Sequence, residues 1–289
     1  MSSCCASSHN EFPARQIPTR GVHFRRQAAQ EQAVEIAGPV IGTTLPESIR
    51  DPMPPILDQI KRVGRTYLPK PVLDRWHLLQ FLYRQRFSTP RIPDTPALDV
   101  ESHRYFASRI PTARNYLEYG SGGSTILAAK SHIRFKTVDS DPFFLRAVKN
   151  KITNELGGAN GDFIYCNIGM TQLWGIPLFK RLSAGRRNRW KRYAQAPWLN
   201  QDASFLPDLV LVDGRFRVAC ALTTIKHLTH KVPFEILVDD YATRSEFWEI
   251  EKFAELSSMQ GRMAVFKPKP SINLDSLDRA IETYSVDYR

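Results

Sequence analysis

Cysteine is scarce in this chain. Four occur, Cys4, Cys5, Cys166 and Cys220, with no CxxC pair among them, so neither a disulfide framework nor a zinc site is expected. Cys166 and Cys220 lie in apolar runs and read as buried free thiols, which suits a reducing compartment. No apolar run reaches the roughly 18 residues that a membrane span requires. Acidic residues are outnumbered: 29 Asp and Glu stand against 40 Lys and Arg, a net charge of +11. That balance fits an anionic partner or surface, though charge alone does not select a fold. Core material is present, since 42% of the 289 residues are hydrophobic and 11% aromatic, which argues for a packed domain rather than disorder.

Residues 1–50 show no period and read as a disordered tail. Arg15, Arg20, Arg25 and Arg26 against the lone acid Glu11 give that tail the character of an organelle transit segment or of a plain basic arm. Cytoplasmic placement is the expectation, with an organelle as the alternative. Residues 51–110 read as a helical extension. In its first helix, over 56–87, Leu73, Trp76, Leu79, Leu82 and Tyr83 share one side at helical spacing. That side is expected to pack on the main domain. Contact with a membrane surface, aided by Arg75, Arg84 and Arg86, is the alternative. A second helix is expected over 98–110.

From residue 111 to 289 the pattern is regular. Strand-like runs occur at 115–119, 134–138, 163–168, 208–212, 234–238 and 262–266, and helix-like segments separate most of them. The pattern predicts an α/β fold: a Rossmann-like, doubly wound, mostly parallel sheet with helices on both faces.

The first of these strands runs into a glycine turn, YLEYGSGGST over Tyr116–Thr125. Such a turn at a strand's carboxyl end brings backbone close to a ligand. Asp139 ends the next strand nineteen positions after Gly120, the spacing at which a carboxylate accepts bonds from ribose hydroxyls. A dinucleotide site wants a third glycine, where this chain has Thr125. Glu118, just ahead of the turn, would repel phosphate and attract an ammonium group. A ribose-bearing ligand with an amino group and no phosphate is S-adenosylmethionine (SAM).

LEYGSGGST followed by TVDSDP resembles the first two motifs of the class I SAM-dependent methyltransferases, over about residues 98–266. The resemblance implies that Gly120 and Gly122 approach the methionine portion, with Ser121 and Ser124 in the same turn. It implies that Asp139, followed by Ser140, holds the ribose, and that Glu118 lies near the amino group.

Two more strands end in acids, VDGRFR at Asp213 and VDDYATR at Asp239 and Asp240. Carboxylates gathered at one sheet edge need a cation or protons between them. The layout is similar, more loosely, to that of the metal-dependent O-methyltransferases, which implies Asp213, Asp239 and Asp240 as ligands of Mg2+. The alternative is an acid–arginine network with Arg215 and Arg217. Without a metal, Asp213 is the candidate catalytic base, and His227 and His230 read as packing or surface residues.

The crossover over about 170–206 carries Lys180, Arg181, Arg186, Arg187, Arg189, Lys191 and Arg192 with Trp174, Trp190, Tyr193 and Trp198 among them. Such an insert suits an anionic small-molecule or glycan-type acceptor. Its alternative is a solvated loop. Nucleic acid is not expected, because the strand tips lack an Asn- or Asp-Pro-Pro-aromatic run. The reading is thus a SAM-dependent transferase acting at oxygen. An inactive scaffold and an NAD-linked oxidoreductase are the rivals.

Overall fold

The structure is a computed structural model that describes residues 69–88, 90–199 and 204–289. The expectations for residues 1–50, for Cys4 and Cys5, and for the start of the 56–87 helix lie outside these residues. Seven strands form one sheet: β1 (Asn115–Tyr119), β2 (Arg134–Asp139), β3 (Gly161–Tyr165), β4 (Leu209–Val212), β5 (Glu235–Val238), β6 (Ala254–Gln260) and β7 (Met263–Pro268). Their order is β3-β2-β1-β4-β5-β7-β6. The first five are parallel, and β7 and β6 complete the sheet as an antiparallel hairpin. This is the Rossmann-like α/β architecture.

Strand side chains alternate between faces, and both faces here are apolar. One carries Tyr116, Phe135, Leu209, Leu211 and Leu237, against Phe106, Ile126, Val148 and Ile152. Those partners come from helices α2 (Val100–Arg109), α3 (Gly123–Lys130) and α4 (Pro142–Leu156). The other face carries Leu117, Tyr119, Val138, Val210, Val212, Ile236 and Val238, against Trp190, Tyr193, Ala219, Leu222 and Leu277. Helices α5 (Ala184–Gln195), α6 (Arg217–Leu228) and α7 (Leu274–Tyr284) supply that layer.

Helix α1 (Lys70–Phe87) touches α4 through buried Gln85, which donates to Asp141 Oδ2 at 2.5 Å, and through Arg86 over the Phe143 ring at 5.8 Å. Asp141 in turn caps α4 by accepting from the amides of Phe143 and Phe144. The side expected to be buried is only partly so: Leu73 and Leu82 are half-buried, while Trp76, Leu79 and Tyr83 are exposed. Helical spacing identified the stripe but not what it faces. No helix among the described residues is long and apolar enough to cross a membrane. Cys166 and Cys220 are free and buried.

The register positions the site. Tyr119 pairs with Val138 and with Val212, and Val212 pairs with Val238. The ladder continues one residue further, from Gly120 N to Val138 O at 2.8 Å, Asp213 N to Tyr119 O at 3.0 Å and Asp239 N to Val212 O at 3.2 Å. Gly120, Asp139, Asp213 and Asp239 therefore share one carboxyl edge. The strand order reverses between β1 and β4, the place where open α/β sheets bind ligands.

Candidate active site

Gly120 and Gly214 meet across that reversal. Gly120 has φ +101°, and a Cβ there would lie 2.8 Å from Gly214 N. The glycine is thus required by the chain itself, for backbone handedness and for contact between the two loops. Gly122 differs. Its φ of 165° is extended backbone, and an added Cβ meets nothing within 4 Å. The open face of the turn is at Gly122.

Asp139 stands beside that face. Its Oδ2 accepts from the Ser121 amide at 2.9 Å and the Ser121 hydroxyl at 2.6 Å, and its Oδ1 accepts from the Asp141 amide at 2.8 Å. Burial raises its pKa while the Ser121 and Asp141 bonds pull the other way. A carboxylate has about four lone-pair positions, so capacity remains for a ligand's hydroxyls. Ser140, next along, is buried.

Glu118 does not face this opening. It is fully buried and takes a hydrogen bond from Tyr116 Oη at 2.9 Å and another from Thr125 Oγ1. Thr125 Oγ1 also receives the Gly122 amide at 2.9 Å. Burial pushes the Glu118 carboxyl up to about 7, against the pull of the Thr125 and Tyr116 bonds. Glu118 and the buried Ser124 thus support the turn from within the fold, Glu118 through Thr125 Oγ1, which also receives the Gly122 amide. The reason is strand alternation: Glu118 shares a face with Tyr116, under α3.

The acids at the β4 and β5 tips are engaged by arginines. Arg217, almost fully buried, spends every N–H: Nε on Gly214 O, Nη1 on Asp239 O and Asp240 Oδ2, and Nη2 on Asp213 O and Oδ1, all at 2.7–3.1 Å. Arg262 clasps both oxygens of Asp239 at 2.9 and 2.8 Å and reaches Asp240 Oδ1 at 3.1 Å. Arg244 adds a bond to Asp240 Oδ2 at 3.1 Å. Mg2+ would need carboxylate oxygens converging at about 2.0–2.1 Å in octahedral array. Here both oxygens of Asp239 and of Asp240, and Asp213 Oδ1, turn to guanidiniums that already balance their charge. Among the described residues no cluster of three or more His, Cys, Asp or Glu could hold a metal. Asp213, Asp239 and Asp240 thus form an acid–guanidinium network and, as arranged, do not fit a divalent ion.

Arg217 was legible as the residue four positions after Asp213. Arg262 was not, because the β6–β7 hairpin brings it from far along the chain. His227 packs flat on Trp198, with centroids 4.5 Å apart and planes 1° off parallel. The insert divides in two. Helix α5 buries Trp190 and Tyr193 in the core, while Arg187 and Arg189 are exposed. Earlier in the insert, Gly175 sits at the site, its would-be Cβ 2.9 Å from Ser140 Oγ.

No family model and no curated protein matches the chain. Among solved structures, a methyltransferase-like protein from Silicibacter pomeroyi is 30% identical, with TM-score 0.56, over 66% of this chain and 99% of that one. An O-methyltransferase from Bacillus cereus in complex with SAH is 14% identical, with TM-score 0.39, over 74% of this chain and 97% of that one. An N-methyltransferase, NodS, from Bradyrhizobium japonicum is 12% identical, with TM-score 0.38, over 68% of this chain and 99% of that one. With a 30% identical methyltransferase-like relative covered almost end to end, and with the sheet order and glycine turn described above, this chain belongs to the class I SAM-dependent methyltransferase family.

Proposed function

We propose that residues 111–289 bind SAM and transfer its methyl group to an oxygen of a small-molecule or glycan-type acceptor. One observation carries the reading. The turn is open above Gly122, where a Cβ meets nothing within 4 Å, and the Asp139 carboxylate stands at the rim of that opening, 2.6 Å from Ser121 Oγ. In this reading Asp139 holds the ribose hydroxyls, with Ser121 fixing its orientation. The Gly120–Gly122 backbone receives the methionine portion, and Ser140 borders the nucleoside. Glu118 and Ser124 keep the turn's shape.

Bound SAM supplies an electrophilic methyl group. The chain supplies proximity, orientation and a place for the acceptor's proton. Asp213, partly exposed and held by Arg217 at 3.0 Å, is that place. Burial raises its pKa, Arg217 opposes the rise, and Asp239 and Asp240 add to it. A carboxylate base so tuned works nearer neutral pH than an ordinary one. No step is assigned to Mg2+, because the three tip carboxylates do not fit it as arranged.

Titration of SAM into the full chain, followed by a methyl-transfer assay against hydroxylated acceptors in excess EDTA, tests the reading. Binding and chelator-indifferent transfer are expected. No binding of SAM or SAH would overturn the reading and leave a scaffold. Binding of NADH instead would point to an oxidoreductase, and transfer that EDTA abolishes and Mg2+ restores would reinstate the metal.

A further inference from the structure

The strand tips hold a guanidinium that the acid network leaves out. Asp213, Asp239 and Asp240 are matched by Arg217, Arg244 and Arg262. Arg215 lies two residues after Asp213 in the same loop. Its guanidinium has no hydrogen-bond or ion-pair partner among the described residues, and its Nε is buried. A buried charged N–H without an acceptor is costly, and native proteins rarely keep one unless something else completes it. Burial lowers the Arg215 pKa to about 10, with Arg217 and Arg244 adding repulsion against the weaker pull of Tyr193 and Asp213. Such a field favours an anion beside Arg215.

The position is as informative as the charge. A Cβ on Gly175 would lie 3.8 Å from Arg215 Cγ and 2.9 Å from Ser140 Oγ. Arg215 and Ser140 therefore flank one point on the wall that the insert builds at the sheet edge. Ser140 is on the β2 side, which the proposed function gives to the nucleoside. Arg215 is on the β4 side, next to the proposed base Asp213. Trp174, 59% exposed and with φ +64°, adjoins the same wall. A bound acceptor that presents its hydroxyl to Asp213 has Arg215 within reach of its next substituent.

We propose that Arg215 binds a carboxylate or phosphate group of the methyl acceptor. The acceptor half of this statement rests on the proposed methyl-transfer function, whereas anion binding at Arg215 does not. The cofactor's own carboxylate is the other source of the same chemistry, and the test separates the two.

The test titrates inorganic phosphate into the full chain, alone and saturated with SAH, with 31P line broadening as readout. Wild type is expected to bind phosphate in both states, and Arg215→Gln to bind it at least about tenfold more weakly, as loss of one charge-assisted hydrogen bond implies. Arg215→Lys keeps the charge and is expected to retain most of the affinity, which guards against misreading a folding defect. SAH affinity is expected to change less than about twofold in either variant, since the ribose and methionine contacts lie elsewhere. Phosphate binding that is absent from wild type, or unchanged in Arg215→Gln, overturns the proposal. Competition between phosphate and SAH, with SAH affinity lost in Arg215→Gln, assigns Arg215 to the cofactor and overturns the acceptor assignment. Failure of SAH to bind wild type would sink the methyl-transfer reading, and the titration without SAH would still judge Arg215.

Discussion

Asp139 and Asp239 end two strands of the same parallel sheet, one on each side of the point where the strand order reverses. Asp139 is held by neutral donors, the Ser121 amide and hydroxyl and the Asp141 amide, and it borders an opening above Gly122. Asp239, 1% exposed, is clasped bidentately by Arg262 and has no such opening beside it. The same residue type at the same rung of the sheet is held in two ways. A carboxylate held by neutral donors keeps lone pairs that a ligand's hydroxyls can use. One that meets a guanidinium of matching fork geometry is consumed in holding the fold.

The sharpest way to break the comparison is at the glycines. Gly120→Val forces a β-branched residue into φ +101° and against Gly214 backbone at 2.8 Å. A loss of about 3 kcal/mol or more is expected, read by thermal unfolding. Gly122→Ala, whose Cβ enters open space, is expected to keep its stability to within about 1 kcal/mol and to lose SAM affinity. If Gly120→Val unfolds like wild type, the contact with Gly214 is not what the residue serves.

On the arginine side, Asp239→Ala removes the bidentate partner of Arg262 and leaves it Asp240 Oδ1 at 3.1 Å and Ala97 O at 2.8 Å. Loss of hydrogen bonds to a charged group costs about 1.5–3 kcal/mol, and the lower end applies because the Arg262 side chain is 38% exposed and keeps these partners. Chemical denaturation in EDTA measures it. A stability that Asp239→Ala leaves intact, but that Mg2+ raises in wild type, would turn these acids back into metal ligands.

Glu118 sharpens the glycine-turn side through pH. Its folded pKa, about 7, lies above the ordinary carboxyl value of 4.5, so the fold favours the protonated form. That contribution is complete below pH 4.5 and is lost as pH rises toward 7. It amounts to about 3 kcal/mol at 1.36 kcal/mol per unit. Glu118→Gln, neutral throughout, is expected to flatten the decline in stability between those limits. A variant with the wild-type slope would show that Glu118 is charged in the fold.

The smallest effect is expected at the exposed face of α5. Reversing Arg187 and Arg189 to Glu should leave SAM affinity within about twofold while raising the KM of an anionic acceptor at low salt. The rise should fade as ionic strength shortens screening to about 8 Å. A salt-insensitive loss of SAM binding would mean that α5 holds the cofactor.

Much of this was readable in the sequence where local pattern governs. β1 begins and ends where its apolar run does, and the tips of β2, β4 and β5 carry the expected acids. β3 sits earlier than expected, because the apolar run through Cys166 and Ile168 continues past the strand into buried loop. β6 was missed, since AELSSMQ is polar and lies at the sheet's edge, where pairing with β7 rather than burial makes it a strand. The burial of Glu118 could be read from its period with Tyr116. Arg262 could not, since no local spacing announces a contact made by a hairpin far along the chain. The open face of Gly122 was equally invisible, because space is a property of the fold.

Calorimetric titration of SAM into wild type and Asp139→Ala, both in excess EDTA, tests most directly whether the cofactor sits at the glycine turn without help from a metal. Wild type is expected to bind, indifferent to the chelator. Asp139→Ala is expected to bind at least about tenfold more weakly while remaining folded, since each hydrogen bond to a charged acceptor is worth about 1.5–3 kcal/mol. Equal affinity in the two folded proteins, or wild-type binding that EDTA abolishes, would contradict the assignment.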